Sequence, residues 1–524
     1  MPDAAESSHP GNVPSTPFLP AMREGQSLTM QAMWMMAAKT LAFAFNFALP
    51  LLLVRQLTMS EFGLYKQVFL IVNAAIMMLP LGFAMNAFYF WPRVPGRRDA
   101  LVLNILLFYL LVTGLAGLGL IGWPELLANV FHGPELVAHG KSIGLVVLLW
   151  GVSSYLDIVA IANGETRLAA VLIVTLQLTK AMVLLAAALW SASVGGLIEA
   201  AAIHGVLQVG VLLAYLGSRF GRFWRRFDGA LLRAQLAYAL PHGLAAWLYW
   251  IHRDLHEYLV AHRFDTATYA IYAVGCLQLP LLGILRESVG SVAIPRVSQL
   301  QSEGRSHDIL ALTAGIMRKL AAVYFPLCAI LLVVRSELIT LFFTDAYLAS
   351  TSIFAMNLAL VPLATVSGAV DPVIRAYAPC RFFLLKLRLA LVGLTLTGLY
   401  FGMTHFGLLG AVAVVVVISL LENFALAVKV SRILGMRRRD LALFKDLPRL
   451  AFAAAVAAAG AAIARDLLLG TGPLAVLFGC GLAFSATYLA LVLACRVPRA
   501  EERVAVLRTV SWLHSRLVRM ATVA

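Results

Sequence analysis

Charged residues are scarce in this chain: only 13% of its 524 residues are charged, whereas 61% are hydrophobic. A soluble domain usually carries about 25% charged residues, so about half of the expected surface charge is missing. The five cysteines, Cys276, Cys328, Cys380, Cys480 and Cys495, show no CxxC spacing. Neither a disulfide framework nor a metal site follows from them.

Motifs of soluble enzymes and of nucleic-acid binding proteins are also missing. The sequence contains no P-loop, no GxSxG and no HExxH, so we expect no enzyme and no cofactor. The formal net charge is +15, but there is no zinc finger, RNA-binding signature or long basic arm, so we expect no nucleic-acid partner. A membrane-embedded polysaccharide polymerase or glycosyltransferase stays open as an alternative of another class. Such enzymes usually need a long periplasmic loop, and the longest outer loop here spans only 123–142.

The hydrophobic residues are collected in blocks that approach or exceed the ~20 residues needed to cross a bilayer. Ala100 to Gly122 and Leu474 to Ala494 are examples. The blocks predict an all-α integral membrane protein with about fourteen transmembrane helices. The predicted spans are 31–54, 63–91, 100–122, 143–162, 168–190, 197–217, 236–260, 267–292, 311–334, 351–371, 386–405, 408–430, 450–468 and 473–495.

Basic residues alternate between the loops. Clusters at 93–98, 219–233, 375–388 and 432–449 fall on one side, whereas the opposite loops carry little beyond Arg55, Lys141, Arg263 and Arg335. Cytoplasmic loops carry the excess of Lys and Arg, so the asymmetry predicts that both termini are cytoplasmic, in a bacterial inner membrane. The tail from Glu501 to Met520 has apolar residues at helical spacing among arginines, which predicts an amphipathic helix on the inner leaflet.

The first twelve spans contain an internal repeat. Leu57 to Tyr65 and Phe264 to Tyr272 are both short outer loops that run into a helix, with Tyr at the same offset. Three further matches pair 131–136 with 343–348, Asp157 and Arg167 with Asp371 and Arg381, and 218–219 with 431–432. Six spans per half predict two six-helix bundles related by a pseudo-twofold axis along the membrane normal, with an appended helix pair. This is a parallel-repeat, alternating-access arrangement.

The predicted domain organisation follows from the spans and the charge clusters. Its segments are a disordered cytoplasmic tail (1–28), an N-terminal six-helix bundle (29–217), a basic linker (218–235), a C-terminal six-helix bundle (236–430), a basic loop (431–449), an extra helix pair (450–495) and a basic amphipathic tail (496–524).

Two segments carry a resemblance to a known family. The segment 57–71 (LTMSEFGLYKQVFLI), and the stretch from Leu240-Pro241-His242 through Asp254 to Tyr272, resemble Wzx-type polysaccharide flippases of the multidrug/oligosaccharidyl-lipid/polysaccharide exporter superfamily. The resemblance implies a two-bundle transporter that flips undecaprenyl-pyrophosphate-linked oligosaccharide to the periplasmic leaflet. One departure is Ala270-Ile271-Tyr272, where family members commonly have Gly-x-Tyr.

Charged residues inside the spans are the candidate functional residues, because a charge at the bilayer centre costs at least ~2.5–3.5 kcal/mol. The cationic candidates for holding an anionic head group are Lys39, Lys180, Arg253 and Arg286. The candidates for ion pairing or ion coupling are Asp157, Asp254, Glu257, Glu287, Asp371 and Glu422. Structural alternatives are an ion pair of Lys180 with Glu422, a snorkelling Lys39, and a helix-end network around Arg253, whose spacing allows it to pair with Glu257.

The leading hypothesis is therefore a flippase for lipid-linked oligosaccharide, in contact with membrane lipids and with polysaccharide polymerase and export machinery as further partners. The closest rival is a cation-coupled multidrug antiporter, whose cavity should be acidic or apolar. The basic candidates argue against it. Lys66, near a span end, is expected to snorkel, and Arg318 is expected to anchor at the membrane surface.

Overall fold

The computed structural model describes residues 28–127, 131, 134–377, 380–495 and 497. Every regular element within these residues is a helix. The α-helices are α1 Leu28–Leu53, α2 Met59–Met78, α3 Asn86–Phe90, α4 Arg98–Gly122, α5 Pro134–Ala138, α6 Gly140–Ser153, α7 Leu156–Ala162, α8 Thr166–Ser191, α9 Val194–Phe220, α10 Gly229–Arg263, α11 Thr266–Gly275, α12 Pro280–Ser302, α13 Ser306–Val333, α14 Arg335–Phe343, α15 Ser350–Asn357, α16 Leu360–Ala376, α17 Cys380–Ile433, α18 Asp446–Leu467 and α19 Pro473–Ala494. Short 3₁₀ helices lie at Phe83–Met85, Pro95–Arg97, Phe223–Arg225, Asp345–Tyr347 and Arg438–Phe444.

The all-α membrane fold is confirmed, and every predicted span coincides with a helix or a helix pair. The predicted number of fourteen is not confirmed: by length and composition, the described residues hold 11 candidate spans, or up to 12 if the bent pair α11 and α12 is one span. Two features account for the difference. Helix α10 is long enough but too polar to be counted. Helix α17 is counted once, although Gly407 breaks it with a φ of 58°.

The repeat is visible at the starts of α2 and α11. The Thr58 side chain accepts a hydrogen bond from the Glu61 backbone N–H, and the Asp265 side chain accepts one from Thr268. These side chains satisfy N–H groups that the first helical turn leaves without partners. Tyr65 and Tyr272, seven residues beyond each cap, are both buried. The two segments paired in the sequence are therefore structurally equivalent helix starts.

Helices α2 and α11 also pack directly against each other. A Cβ atom on Gly63 would overlap the carbonyl oxygen of Thr266 and lie 3.3 Å from the Cβ of Ala270. Gly63 and Ala270 are equivalent positions of the repeat, and equivalent residues meet where a twofold axis passes between them. One glycine is enough for this approach, which explains why the second half accommodates alanine.

Three clusters of buried hydrophobic residues describe how the two halves meet. At the end predicted to be periplasmic, side chains of both halves join in one cluster, such as Phe62 with Tyr269 and Phe354. At the end predicted to be cytoplasmic, a cluster around Leu101 and Tyr155 combines the first half with the first turns of α10, and one around Ile309 belongs to the second half. The two halves thus share a core at the predicted periplasmic end and have separate cores at the other, and we refer to the boundary between these separate cores as the cleft.

Helix α10 begins inside the segment predicted as linker. Asp228 caps it, and Gln235 is buried between Asn104 and Asn86, with hydrogen bonds of 2.9 and 3.1 Å. The first turns of α10 therefore pack against the first bundle, before the helix reaches the second. The boundaries predicted for the individual domains stay predictions.

The appended pair α18 and α19 packs against α13. Arg465 forms an ion pair with Glu337 at 2.7 Å, and Tyr488 donates a hydrogen bond to the Ala322 carbonyl oxygen. Arg318 was expected to anchor at the membrane surface, and this expectation is wrong. Its side chain is buried and donates to the carbonyl oxygen of Val497. Of the predicted tails 1–28 and 496–524, residues 1–27, 496 and 498–524, which include the amphipathic segment, lie outside the described residues.

Candidate functional site: charged residues along the cleft

Lys39 and Glu287 connect the two bundles across the cleft. Lys39 lies on α1 and Glu287 on α12, and Lys39 Nζ is 2.8 Å from Glu287 Oε1. Their side chains are 54% and 68% exposed, and Asp157 on α7 also interacts electrostatically with Lys39. Charges at membrane depth face a bundle interior or a water-filled cavity rather than lipid. This pair therefore marks the polar surface of the cleft.

Beside Glu287, three arginines of the second bundle surround two carboxylates; we refer to Arg286, Arg375, Arg388, Asp371 and Glu422 as the arginine cluster. Asp371 Oδ2 lies 2.9 Å from Arg375 and 3.8 Å from Arg286. Arg286 also forms a side-chain hydrogen bond with Tyr249. These contacts bring three helices, α12, α16 and α10, together around one polar centre.

Glu422 and Arg388 complete the arginine cluster. Glu422 lies 3.6 Å from His252 Nε2 and interacts electrostatically with Arg388 and Arg286. The Arg388 guanidinium stacks over the Tyr249 ring at 4.7 Å, within the range of cation–π attraction. Arg388 Nε and His252 Nδ1 are buried and have no hydrogen-bond partner. The cluster thus retains buried polar atoms that a bound group can satisfy.

Lys180 lies on the first bundle. Its Nζ donates a hydrogen bond of 2.7 Å to Asn46 Oδ1 on α1 and lies 5.5 Å from the centre of the Trp150 ring. The alternative that paired Lys180 with Glu422 is wrong. Glu422 lies in the second bundle and contacts His252 of that same bundle. Within the described residues Lys180 forms no ion pair with a carboxylate, so its charge is balanced only by a neutral amide and an aromatic ring.

Arg253 makes its close contacts with residues other than Glu257. Its guanidinium lies 3.4 Å from Asp254 and donates to Gln278 at 3.0 Å, whereas Glu257, four residues on, interacts with it only electrostatically. Arg253 also lies over the Trp250 ring at 5.2 Å. Arg253 is satisfied locally by α10 and the break between α11 and α12, which agrees with the expected helix-end alternative.

Glu257 faces the other bundle. It interacts electrostatically with Lys66 on α2, and Lys66 lies 5.6 Å from the Phe62 ring. A nearby contact joins the same helices, since Gln67 donates to the Ala261 carbonyl oxygen. Lys66 was expected to snorkel to the surface, whereas the structure directs it into the interface between the bundles at the closed end.

Arg388 and Lys66 were not predicted from the sequence as members of the site. Arg388 was counted with the basic residues that set the orientation, although it lies about two turns inside α17. Its position inside an apolar block was the signal that could have identified it. The partner of Lys66 lies on a helix almost two hundred residues away in the sequence, so spacing along one helix could not reveal it.

A separate groove of about 690 Å³ lies between α13 and α18. Its lining includes Cys328, Leu332, Pro362 and Ala458, and Arg335 and Arg465 line it as well. None of the candidate residues lines this groove. In the part of the chain that the structure describes, there is no group of three or more His, Cys, Asp or Glu side chains that could hold a metal ion.

Two bundles joined at one end, with charged residues along the cleft between them, form a multi-pass membrane protein. A family model described as "Polysaccharide biosynthesis protein" matches residues 52–352, which is more than half of the chain. The chain belongs to this family of polysaccharide biosynthesis proteins. No curated protein sequence matches it.

Solved structures of transport proteins share the fold of this chain. The structure titled "Lipid II flippase MurJ, inward closed conformation" has a TM-score of 0.65 at 12% identity, covering 89% of this chain and 99% of that one. An inward-facing multidrug resistance MATE family transporter of the MOP superfamily has a TM-score of 0.57 at 14% identity, covering 81% and 97%. The chain therefore shares its fold with a lipid II flippase and with a multidrug transporter.

Proposed function

We propose that the protein is a flippase that moves an oligosaccharide, linked to a polyprenyl pyrophosphate lipid, from the cytoplasmic to the periplasmic leaflet. The membership in a family of polysaccharide biosynthesis proteins supports a sugar-containing cargo. The fold of a lipid II flippase supports a lipid-linked one. A pyrophosphate head group is anionic, and guanidinium and ammonium groups bind phosphate oxygens by charge-assisted hydrogen bonds.

The observation that carries this proposal is the unbalanced positive charge along the cleft. Lys180 and Arg388 form no ion pair with a carboxylate among the described residues, and Arg388 Nε is buried without a hydrogen-bond partner. A buried unsatisfied donor is costly, so a phosphate group that accepts from it gains affinity. Arg286 lies in the same cluster as Arg388, so two guanidinium groups can contact one pyrophosphate.

The shape of the molecule supports alternating access. The shared core and the α2–α11 contact close the predicted periplasmic end, while the two cores at the other end remain separate. Transport then requires the α2–α11 contact to open at the predicted periplasmic end while the predicted cytoplasmic end closes. The Lys39–Glu287 pair lies between the bundles, so its geometry changes during that movement.

The cleft charges argue against the multidrug antiporter. A site for cationic drugs needs carboxylates that are free to accept them. Glu287, Asp371 and Glu422 instead each contact a basic side chain, so the carboxylates serve to hold cations in place. The predicted inner-membrane location, cytoplasmic termini and the partnership with polymerase and export machinery belong to the same proposal.

The test is a deletion strain complemented with variants of Arg388. Wild type should restore sugar export and clear the lipid-linked repeat unit from the cytoplasmic leaflet. Arg388→Ala should lose export, and Arg388→Lys should keep part of it, because lysine retains the charge without the planar guanidinium. Arg438→Ala, which removes an exposed charge outside the cleft, is the matched control.

Equal membrane expression of every variant must be shown first. If the deletion leaves export and the lipid-linked pool unchanged, the proposed function is wrong. If the deletion abolishes export but Arg388→Ala restores it as well as wild type does, the proposed function stands and the head-group role of Arg388 is refuted.

A further inference from the structure

The short connection between α9 and α10 presents an unusual combination of side chains. Four aromatic residues, Phe220, Phe223, Trp224 and Phe227, alternate here with arginines. Helix α9 is a candidate membrane span that ends at Phe220, and α10 begins at Gly229. The connection therefore follows directly on the end of a span, at the level of the lipid head groups.

This connection is anchored to the protein at defined points. Phe223 is 4% exposed and packs in the core of the first bundle. Arg226 pairs with Asp99 at 3.1 Å, and Asp228 pairs with Arg97 at 2.7 Å. Asp228 also caps α10, and its pKa is lowered, first by the backbone N–H of Leu231 and then by Arg97. The connection is held in place rather than left as a free linker.

Two arginines and two aromatic rings point away from these anchors. Trp224 and Phe227 are 58% and 59% exposed. Arg222 and Arg225 are exposed as well, and neither forms an ion pair with a carboxylate in the described part of the chain. A rigid surface that combines unpaired cations with exposed aromatic rings at the end of a span matches a membrane interface with anionic head groups.

We propose that Arg222, Trp224, Arg225 and Phe227 form a binding site for an anionic membrane phospholipid. The arginines bind the lipid phosphate, and the two rings insert among the head groups and upper acyl chains. The occupant is a bulk anionic phospholipid and not the transported cargo, because the site lies at the outer surface of a span end and contains none of the cleft residues. The proposal is independent of the sugar specificity of the transporter.

The test measures which phospholipids the purified full-length protein retains when it is released from nanodiscs and analysed by native mass spectrometry. The probes are phosphatidylglycerol and zwitterionic phosphatidylethanolamine. Arg222→Gln/Arg225→Gln should weaken the retention of phosphatidylglycerol roughly thirtyfold at low salt, because each basic residue near an anionic surface strengthens binding by roughly fivefold. Binding of phosphatidylethanolamine should not change.

Two further variants distinguish a specific site from a general effect of lost positive charge, and the arginines from the aromatic rings. Arg432→Gln/Arg438→Gln removes the same charge from exposed positions in another basic loop and should leave retention near the wild-type level. Trp224→Ala/Phe227→Ala keeps the charge and should lower retention less than the arginine variant. The proposal is overturned if Arg432→Gln/Arg438→Gln loses as much phosphatidylglycerol as Arg222→Gln/Arg225→Gln. It is also overturned if Arg222→Gln/Arg225→Gln retains as much phosphatidylglycerol as wild type.

Discussion

A single added methyl group should change the conformational equilibrium of this transporter. In Gly63→Ala, the new Cβ atom would overlap the Thr266 carbonyl oxygen and lie 2.6 Å from its carbonyl carbon, where ordinary contacts are 3.4–4 Å. Helices α2 and α11 must therefore separate at this point, and overpacking of this kind typically costs ~1–3 kcal/mol. Because the overlap exists only when the predicted periplasmic end is closed, the ratio of closed to open molecules should fall by a factor of roughly 5 to 150.

Disulfide cross-linking measures that population. The hydroxyl oxygens of Ser60 and Thr266 are 2.6 Å apart at the closed end, so S60C/T266C should cross-link rapidly in the wild-type background. Adding Gly63→Ala should slow the cross-linking, with the fall in the closed-to-open ratio given above as the upper limit of the effect.

Two glycine-related controls make the comparison specific. Ala270→Gly only removes a methyl group from the same interface and should cross-link like the parent. Gly119→Ala adds a methyl group on α4 where no atom lies within 4 Å and should also have no effect. If Gly63→Ala cross-links as fast as Gly119→Ala, the close approach of the two repeats does not control the closed end.

Three further predictions concern charges. Lys180→Ala should abolish sugar export, whereas Lys180→Arg should retain part of it, because the charge beside Asn46 and Trp150 is kept; full export by both variants would remove Lys180 from the site. Lys39→Glu and Glu287→Lys should each lower export, and the double exchange should restore it if the two residues act mainly as a pair across the cleft. If the double exchange stays inactive while Glu287→Gln is active, Lys39 acts on the cargo instead. Arg465→Ala should lower the free energy of unfolding by roughly 1–3 kcal/mol, because it leaves the Glu337 carboxylate without its ion pair; thermal unfolding in detergent checks this, with Arg465→Lys as the milder variant.

The sequence predicted the membrane class and the repeat because both depend on local patterns. Apolar length and the spacing of helix starts are properties of short segments, and the equivalence of Thr58 with Asp265 follows from them. The number of spans was harder to predict from composition. The α10 helix is polar because it carries charged residues such as Arg253, Asp254 and Glu257, so composition alone does not identify it as a span.

Partners of the charged residues could not be predicted from spacing alone. Arg253 had Glu257 one turn away, yet it contacts Asp254 and Gln278, while Glu257 faces Lys66 on another bundle. A helix considered by itself leaves its rotation undetermined, and the packing of the bundles selects the contacts. The same packing places Arg388 beside Tyr249, although the sequence only marked it as a basic residue near a loop.

The most direct test of the central claim is transport by the purified protein in liposomes. The liposomes contain a lipid-linked oligosaccharide with a fluorescent label, and a membrane-impermeant quencher that leaves disulfides intact reaches only the label in the outer leaflet. We predict that the protein makes the inner-leaflet pool accessible, and that S60C/T266C loses this activity when oxidised and regains it when reduced. An accessible fraction equal to that of protein-free liposomes would show that the protein does not flip this lipid.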